Sequence, residues 1–190
     1  SVSTVSRAVS ILGFQKVRNA ALSLMLFEHL QNKAQAADLK DQVTGSYFSG
    51  VISRDLVDQL KIKNAEEAFI CSMFHRLGKL LAVFYLHEES REVTRVAQAR
   101  NVDEDVAAVE VLGISYSDLG LGVAKQWNLP ERIVSSMKPP AASQIASDEG
   151  RMRAIADASN RLADAVRAPQ GKARDAALAK IESDYGKALG

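Results

Sequence analysis

The residues with the clearest chemical potential are His75 and its neighbours in the segment MFHRLGK, residues 73–79. A histidine followed at once by an acidic residue on a buried helix is one way in which hydrolases begin a metal site. Here the following residue is Arg76, and a guanidinium cannot lose its proton to relieve its conflict with a cation. We therefore predict that His75 is a hydrogen-bonded histidine of a core or pocket, and not a metal ligand.

Other candidate ligands and nucleophiles are few, because the chain has three histidines and one cysteine. His29 and His87 fall near predicted helix ends, away from His75. Cys71 and Lys79 lie four residues on either side of His75 and would share its face on a continuous helix. A lone cysteine on an apolar helix is usually a small buried hydrophobe, and nothing nearby would orient a Cys–His pair or stabilise an oxyanion. We predict no catalytic residue, no metal site and no cofactor.

The composition indicates a globular protein. The 190 residues are 47% apolar and 25% charged, enough for one ordinary core or two small ones. The net charge of +1 gives no argument for nucleic-acid binding, which favours a clustered basic face. The longest apolar run, residues 80–86, is too short for a membrane span of about 20 residues. We expect a soluble cytoplasmic protein, and a piece of a longer one because the chain lacks an initiator methionine.

The apolar periodicity predicts an all-α fold, since three- and four-residue spacing recurs and strand alternation is almost absent. One helix is expected to begin after Asn64 as its N-cap and to continue through His75 to Phe84. Gly78, in its middle, predicts the close approach of another helix, and Trp127 is expected in the core. Further helices are predicted near residues 4–12, before residue 32, and at 41–61, 88–100, 103–112, 115–127 and 131–137.

The composition changes after Pro140, where large apolar residues become rare and alanine becomes common. Two amphipathic helices joined by AVRAPQGKA are predicted there. We assign residues 1–140 to a helical domain and residues 141–190 to an alanine-rich C-terminal pair, either docked on that domain or forming a dimer seam.

Three segments occur in an order that matches a known domain. Residues 8–13 (AVSILG) fit an Ala-hydrophobic-x-x-Leu-Gly pattern, and residues 72–79 fit a stretch similar to GLLHDIGK. Residues 113–133 fit GxxHaxLGxxLaxxWxLPxxI, with Gly, Leu-Gly, Trp and Leu-Pro at matching intervals. Together they resemble the HDOD domain, the HD-related output domain of bacterial signalling proteins, over residues 1–137. The resemblance implies a multi-helix HD-like bundle, here with an additional C-terminal helical pair.

The departures from the family pattern imply a vestigial site. Arg76 stands where the family has aspartate, Tyr116 where it often has histidine, and residues 47–49 (Tyr-Phe-Ser) where HD hydrolases place a histidine on the preceding helix. The helices that normally precede VSRAVSILG are missing. We expect the cleft to be closed by an Arg76–Asp118 ion pair, or else to bind an anionic ligand. The vestigial pocket candidates are His75, Arg76, Tyr116, Asp118 and Ser49.

The resemblance implies a non-catalytic output or relay module in a bacterial signalling pathway. Its expected partner is another protein or a signalling domain covalently linked in a longer chain, without membrane or nucleic acid, and a homodimer is left open. Two alternatives remain. One is an HD-type metal-dependent phosphohydrolase acting on a nucleotide or cyclic dinucleotide, and the other is a non-catalytic anion or nucleotide sensor that uses Arg76.

Overall fold

The computed structural model describes residues 37–138 and 147–189, and these residues form nine α-helices without a strand. The all-α prediction is confirmed. The helices predicted before residue 33, with His29, and the domain boundary at residue 140 lie outside the described residues. The helices are α1 (Ala37–Gln59), α2 (Ala65–Phe74), α3 (Leu77–Tyr85), α4 (His87–Arg100), α5 (Glu104–Leu112), α6 (Tyr116–Gln126), α7 (Glu131–Ser136), α8 (Asp148–Arg167) and α9 (Lys172–Leu189).

Three helices, α1, α2 and α8, pack against one another at the centre of the described part. Small residues on α1 allow this packing: Ser49 and Ser53 are fully buried, and a Cβ on Gly50 would lie 2.8 Å from ring carbons of Phe69 on α2. From α2 the buried side chains of Met73 and Phe74 fill the space. Asn160 on α8 donates to the Ser72 carbonyl at 2.8 Å, which holds α8 beside the end of α2.

A second layer is formed by α3, α4, α5 and α6, around a small apolar cluster that includes Val93 and the ring of Tyr116. Helices α3 and α6 meet backbone to backbone at Gly78 and Gly120. A Cβ on Gly78 would lie 1.9 Å from the carbonyl oxygen of Tyr116 and 2.7 Å from the Gly120 nitrogen. The close approach predicted at Gly78 is confirmed.

The single helix predicted from Asn64 to Phe84 is wrong, because α2 ends at Phe74 and α3 begins at Leu77 with a bend of 41°. Arg76 leaves the helical region, with φ −107° and ψ 31°. Apolar residues occupy both sides of this break and each half packs on several sides, so the periodicity continues across it. Neither proline nor glycine marks the break itself.

The break separates the two residues that were expected to share a face with His75. The thiol of Cys71 points to the backbone carbonyl of Arg132 at 3.7 Å, whereas Lys79 reaches Glu104, with 2.5 Å between Nζ and Oε2. Cys71 is therefore part of the packing between α2 and α7, whereas Lys79 is directed towards the start of α5.

Several predicted helix ends agree with the structure. Asp103 caps α5 by accepting from the Asp105 N–H at 2.8 Å, and Gly113 ends α5 with a φ of 75°. Asn64 occupies the N-cap position of α2 but makes no side-chain capping bond. Trp127 ends α6 as predicted, but its expected place in the core is wrong, since 42% of it is exposed.

The C-terminal helices form the predicted pair. Helix α8 packs against α1, α2 and α7, and α9 packs against α8 through the buried side chains of Ile181 and Tyr185. The division at residue 140 stays a prediction. Within the described residues no single helix is long and apolar enough to cross a membrane, and only the bent pairs α2–α3 and α5–α6 reach that length and composition jointly.

Candidate functional site

A cleft of about 530 Å³ opens beside the break between α2 and α3. The break itself, the first turns of α5 and α6, the end of α7 and one face of α8 form its walls. Three of the five predicted pocket residues line it. The lining consists of His75, Arg76, Lys79, Asp103, Glu104, Asp105, Tyr116, Ser117, Met137, Asp157 and Asp164.

His75 bridges two helices across the cleft. Its Nδ1 lies 2.7 Å from the backbone carbonyl oxygen of Ser136, and its Nε2 lies 3.3 Å from Oδ1 of Asp157. A carbonyl oxygen can only accept, so Nδ1 carries a proton in this contact. The ring donates to Asp157 as well when Nε2 is also protonated. His75 is thus hydrogen-bonded, as expected of a pocket histidine.

Asp157, on α8, is the most connected carboxylate of the cleft. Besides His75, it accepts from the hydroxyl of Tyr185, and Nη1 of Arg161 lies 3.7 Å from Oδ2. Burial acts to raise the pKa of Asp157, but the hydrogen bonds from His75 and Tyr185 and the charge of Arg161 together hold that pKa below its usual value. Asp157 is therefore ionised at neutral pH.

Arg76 pairs with Asp164 of α8 and not with Asp118, so the predicted ion pair is wrong in its partner. Asp118 is exposed and accepts from the Ser115 hydroxyl at 2.7 Å, while its own N–H donates to the Ser115 oxygen at 3.0 Å. Asp118 therefore takes part in capping the start of α6. Sequence spacing could not reveal Asp164, because it lies 88 residues from Arg76 and is brought close only by the packing of α8.

The other two predicted residues have separate surroundings. Tyr116 is 6% exposed, and its hydroxyl lies 3.1 Å from that of Ser90, while burial raises the pKa of the phenol. Ser49 lies in the core and does not line the cleft, since its hydroxyl donates to the carbonyls of Ser46 at 2.8 Å and Ser72 at 3.2 Å. The structure thus places His75, Arg76 and Tyr116 in the lining of one cleft, whereas Asp118 and Ser49 do not line it.

The charges of the cleft are mostly paired, with a surplus of acid. Five acidic side chains line it against two basic ones, Arg76 and Lys79. Arg76 contacts Asp164 and Lys79 contacts Glu104, so each basic group already has a carboxylate. A phosphate entering this cleft would compete with these pairs and face the remaining acids. The arrangement suits an anionic ligand poorly.

The described residues do not fit a metal ion. Nε2 of His75 and Oδ1 of Asp157, 3.3 Å apart, have a spacing compatible with two ligands at about 2.1 Å from one cation. Protein metal sites commonly use three or four such ligands, and no group of three or more His, Cys, Asp or Glu is placed to hold a metal in the described part of the chain. Burial raises the pKa of the Cys71 thiol to about 11, so it stays protonated.

The sequence interpretation missed the wall of the cleft that comes from α8. Asp157, Arg161 and Asp164 follow one another at four- and three-residue spacing and therefore share a face of this alanine-rich helix. Tyr185 of α9 completes the set through its hydroxyl. The sequence did contain one signal for this wall, the acid–base–acid series next to an apolar seam. That series does not show which part of the protein the charged face of α8 contacts.

Comparisons with known proteins agree with the motifs found in the sequence. The model of the family described as "HDOD domain" matches residues 1–141. An uncharacterised protein of Treponema pallidum (strain Nichols) is 25% identical over 137 residues, which are 70% of this chain and 26% of that protein. The chain thus spans about a quarter of the length of this relative.

Three solved structures have the same fold. A "Putative phosphohydrolase" from Shewanella amazonensis SB2B has a TM-score of 0.70 at 22% identity, covering 98% of this chain and 68% of that one. An HDOD domain protein of unknown function from Geobacter sulfurreducens scores 0.65 at 16% identity, covering 97% and 66%. The MmoQ response regulator from Methylococcus capsulatus strain Bath scores 0.52 at 19% identity, covering 100% and 77%. At these identities the structures establish the fold alone, while the family match over most of the sequence establishes that the chain belongs to the HDOD domain family.

Proposed function

We propose that this HDOD domain is a non-catalytic module of a bacterial signalling pathway, which acts in the cytoplasm as an output or relay element through contacts with other proteins. The ion pair between Arg76 and Asp164 supports this proposal most strongly. In the family pattern the residue after the histidine is an acid, and here a guanidinium fixed by α8 takes that place. The exchange changes the local charge by two units in the direction that opposes a cation.

The surroundings of His75 support the same proposal. One ring nitrogen is used by the Ser136 carbonyl, and the other faces a carboxylate that also accepts from Tyr185. A dinuclear hydrolase needs several carboxylates and imidazoles that are free to bind cations and to orient a water. Polar groups that satisfy one another are instead typical of a site that holds helices together.

The comparisons support a role in signalling by analogy of fold. One structural neighbour is a response regulator and another is an HDOD domain protein. Proteins of different function can share a fold, so the proposal that this domain is non-catalytic depends on the residues of the cleft. The partner would be another protein or a further domain of a longer chain.

The phosphohydrolase alternative is favoured by one observation, the 3.3 Å separation of His75 Nε2 and Asp157 Oδ1. The neighbour described as a "Putative phosphohydrolase" points the same way. An anion sensor that uses Arg76 is less well supported, because its guanidinium already binds Asp164.

Hydrolysis assays test the proposal directly. The purified protein, supplied with Mn²⁺ or Fe²⁺, is assayed on p-nitrophenyl phosphate, nucleotides and cyclic dinucleotides beside the matched variant Arg76→Asp, which restores the acid of the family pattern. We expect no turnover by the wild type. Turnover by the wild type that disappears in His75→Ala would refute the non-catalytic role. Capture of partners by the full-length protein, repeated with Arg76→Asp, then tests the role in protein contacts.

A further inference from the structure

Asp157 connects the His75 cleft to the C-terminal helix through its two carboxylate oxygens. Oδ1 faces Nε2 of His75 at 3.3 Å, and Oδ2 accepts the hydroxyl hydrogen of Tyr185 on α9. A hydrogen bond to an ionised acceptor is stronger than a neutral one. The same carboxylate therefore takes part in a contact at the break between α2 and α3 and in a contact on α9.

Arg161 strengthens the connection on the α9 side. Its Nη1 lies 2.9 Å from Oδ2 of Asp184 and 3.7 Å from Oδ2 of Asp157, and its guanidinium carbon lies 5.5 Å from the centre of the Tyr185 ring. The side chains of Ile181 and Tyr185 on α9 are also buried. The attachment of α9 to α8 thus includes a polar group of contacts built around one carboxylate of the cleft.

We propose that α9 is a latch that is energetically coupled to the His75 cleft through Asp157. A change in the cleft that withdraws His75 from Asp157 removes one of the contacts that hold this carboxylate in place. The hydrogen bond to Tyr185 then weakens, and α9 opens more often. Coupling between two sites is reciprocal, so the release of α9 must also alter the surroundings of His75. The proposal rests on the proposed function, because such coupling gives a non-catalytic cleft a means to signal.

The Arg76–Asp164 pair provides a matched control in the same cleft. Asp164 also lies on α8, but it pairs with Arg76, and neither residue forms an ion pair with α9 among the described residues. Removal of the Arg76 side chain perturbs the cleft without touching Asp157 or Tyr185. If coupling depends on Asp157, the two cleft substitutions must have different effects on α9.

Hydrogen exchange of the full chain measures the opening of α9 directly. We expect His75→Ala to speed exchange over residues 172–186 by about three- to tenfold, which corresponds to about 0.7 to 1.4 kcal/mol at 1.4 kcal/mol per factor of ten. Exchange in α4, α5 and α6 should stay unchanged. His75→Gln, which keeps a polar side chain able to reach Asp157, should have a smaller effect, and Arg76→Ala should leave α9 as it is in the wild type.

The effect of α9 on His75 can be tested without a large-to-small substitution. Tyr185→Phe removes one hydroxyl, and it should shift the ring ¹⁵N resonances of His75, whereas Tyr47→Phe, at a residue 52% exposed on α1, should not. In the double variant of His75 and Tyr185 the acceleration of α9 exchange should be smaller than the product of the single effects, because both act on Asp157.

The proposal is overturned if α9 exchange is the same in His75→Ala as in the wild type, or if Arg76→Ala accelerates it equally. A His75 ring that does not respond to Tyr185→Phe would also overturn it, and this measurement remains available if His75→Ala does not fold. Hydrolytic activity would refute the proposed function without changing these results, and absent coupling would remove the latch while leaving the non-catalytic role intact.

Discussion

The crossing of α3 and α6 gives the sharpest prediction about what shapes the cleft. Gly78 and Gly120 face each other there, and a Cβ added to Gly78 would lie 1.9 Å from the carbonyl oxygen of Tyr116. The obstacle is backbone, which cannot rotate away as a side chain can. Because non-bonded contacts are favourable at about 3.5–4.0 Å, Gly78→Ala must separate the two helices by more than about 1 Å.

The expected cost follows from two opposing effects. Overpacking a well-packed site costs about 1–3 kcal/mol, and a clash with backbone belongs at the upper end. Alanine gains about 1 kcal/mol over glycine in a helix interior. The free energy of unfolding of Gly78→Ala should therefore fall by about 2 kcal/mol, which for a chain of this size lowers Tm by about 4–8 °C.

Gly122 supplies the control within α6. It is exposed, and a Cβ there would meet nothing within 4 Å. Gly122→Ala should raise the free energy of unfolding by about 0.5–1 kcal/mol through helix propensity alone. Urea titrations of both variants measure the difference. Equal effects of the two substitutions, or a stabilised Gly78→Ala, would refute the packing of α3 on α6 described above.

Three further predictions test other parts of the structure. Cys71 is fully buried and its thiol pKa is raised to about 11, so iodoacetamide at pH 8 should modify it only after denaturation, and rapid modification of the native protein would contradict its burial. The pKa of Asp157 is lower in the folded state than in the unfolded chain, so its contribution to stability is present above the unfolded pKa of about 4 and is lost as the pH falls through the folded pKa. Asp157→Asn should remove that part of the pH dependence, which urea titrations between pH 6 and 3 would measure. Asp103→Ala should lower the free energy of unfolding by about 1 kcal/mol through the loss of the α5 cap. Asn64→Ala, at a position without a side-chain cap bond, should lower it by less than half as much. A reversed order in urea titrations would argue against both assignments.

Local signals in the sequence predicted much of the fold. The helix starts predicted at residues 103 and 115 and the end predicted at residue 112 agree with the structure, because they are set locally by the side-chain caps of Asp103 and Ser115 and by the positive φ of Gly113. Gly78 in an apolar helix predicted a close crossing, which is present. These features depend on interactions over short sequence distances.

The composition of the cleft depended on distant contacts and was predicted only in part. His75 and Arg76 were recognised, but their partners Asp157 and Asp164 follow more than 80 residues later. The sequence around each of these carboxylates looks like that of a solvated helix surface. Only the packing of α8 on α2 brings them to the break between α2 and α3. The break itself was missed for a related reason, because apolar periodicity reports burial and not the continuity of hydrogen bonds.

Metal content gives the clearest test of the proposal that the residues around His75 do not bind a metal ion. Protein purified without chelator is analysed by mass spectrometry for bound metals, and Tm is measured with Mn²⁺, Fe²⁺ or EDTA added. We expect far less than one metal per chain and no change in Tm with either ion or with EDTA. Stoichiometric metal that EDTA removes, with a fall in Tm and with both lost in His75→Ala, would contradict it.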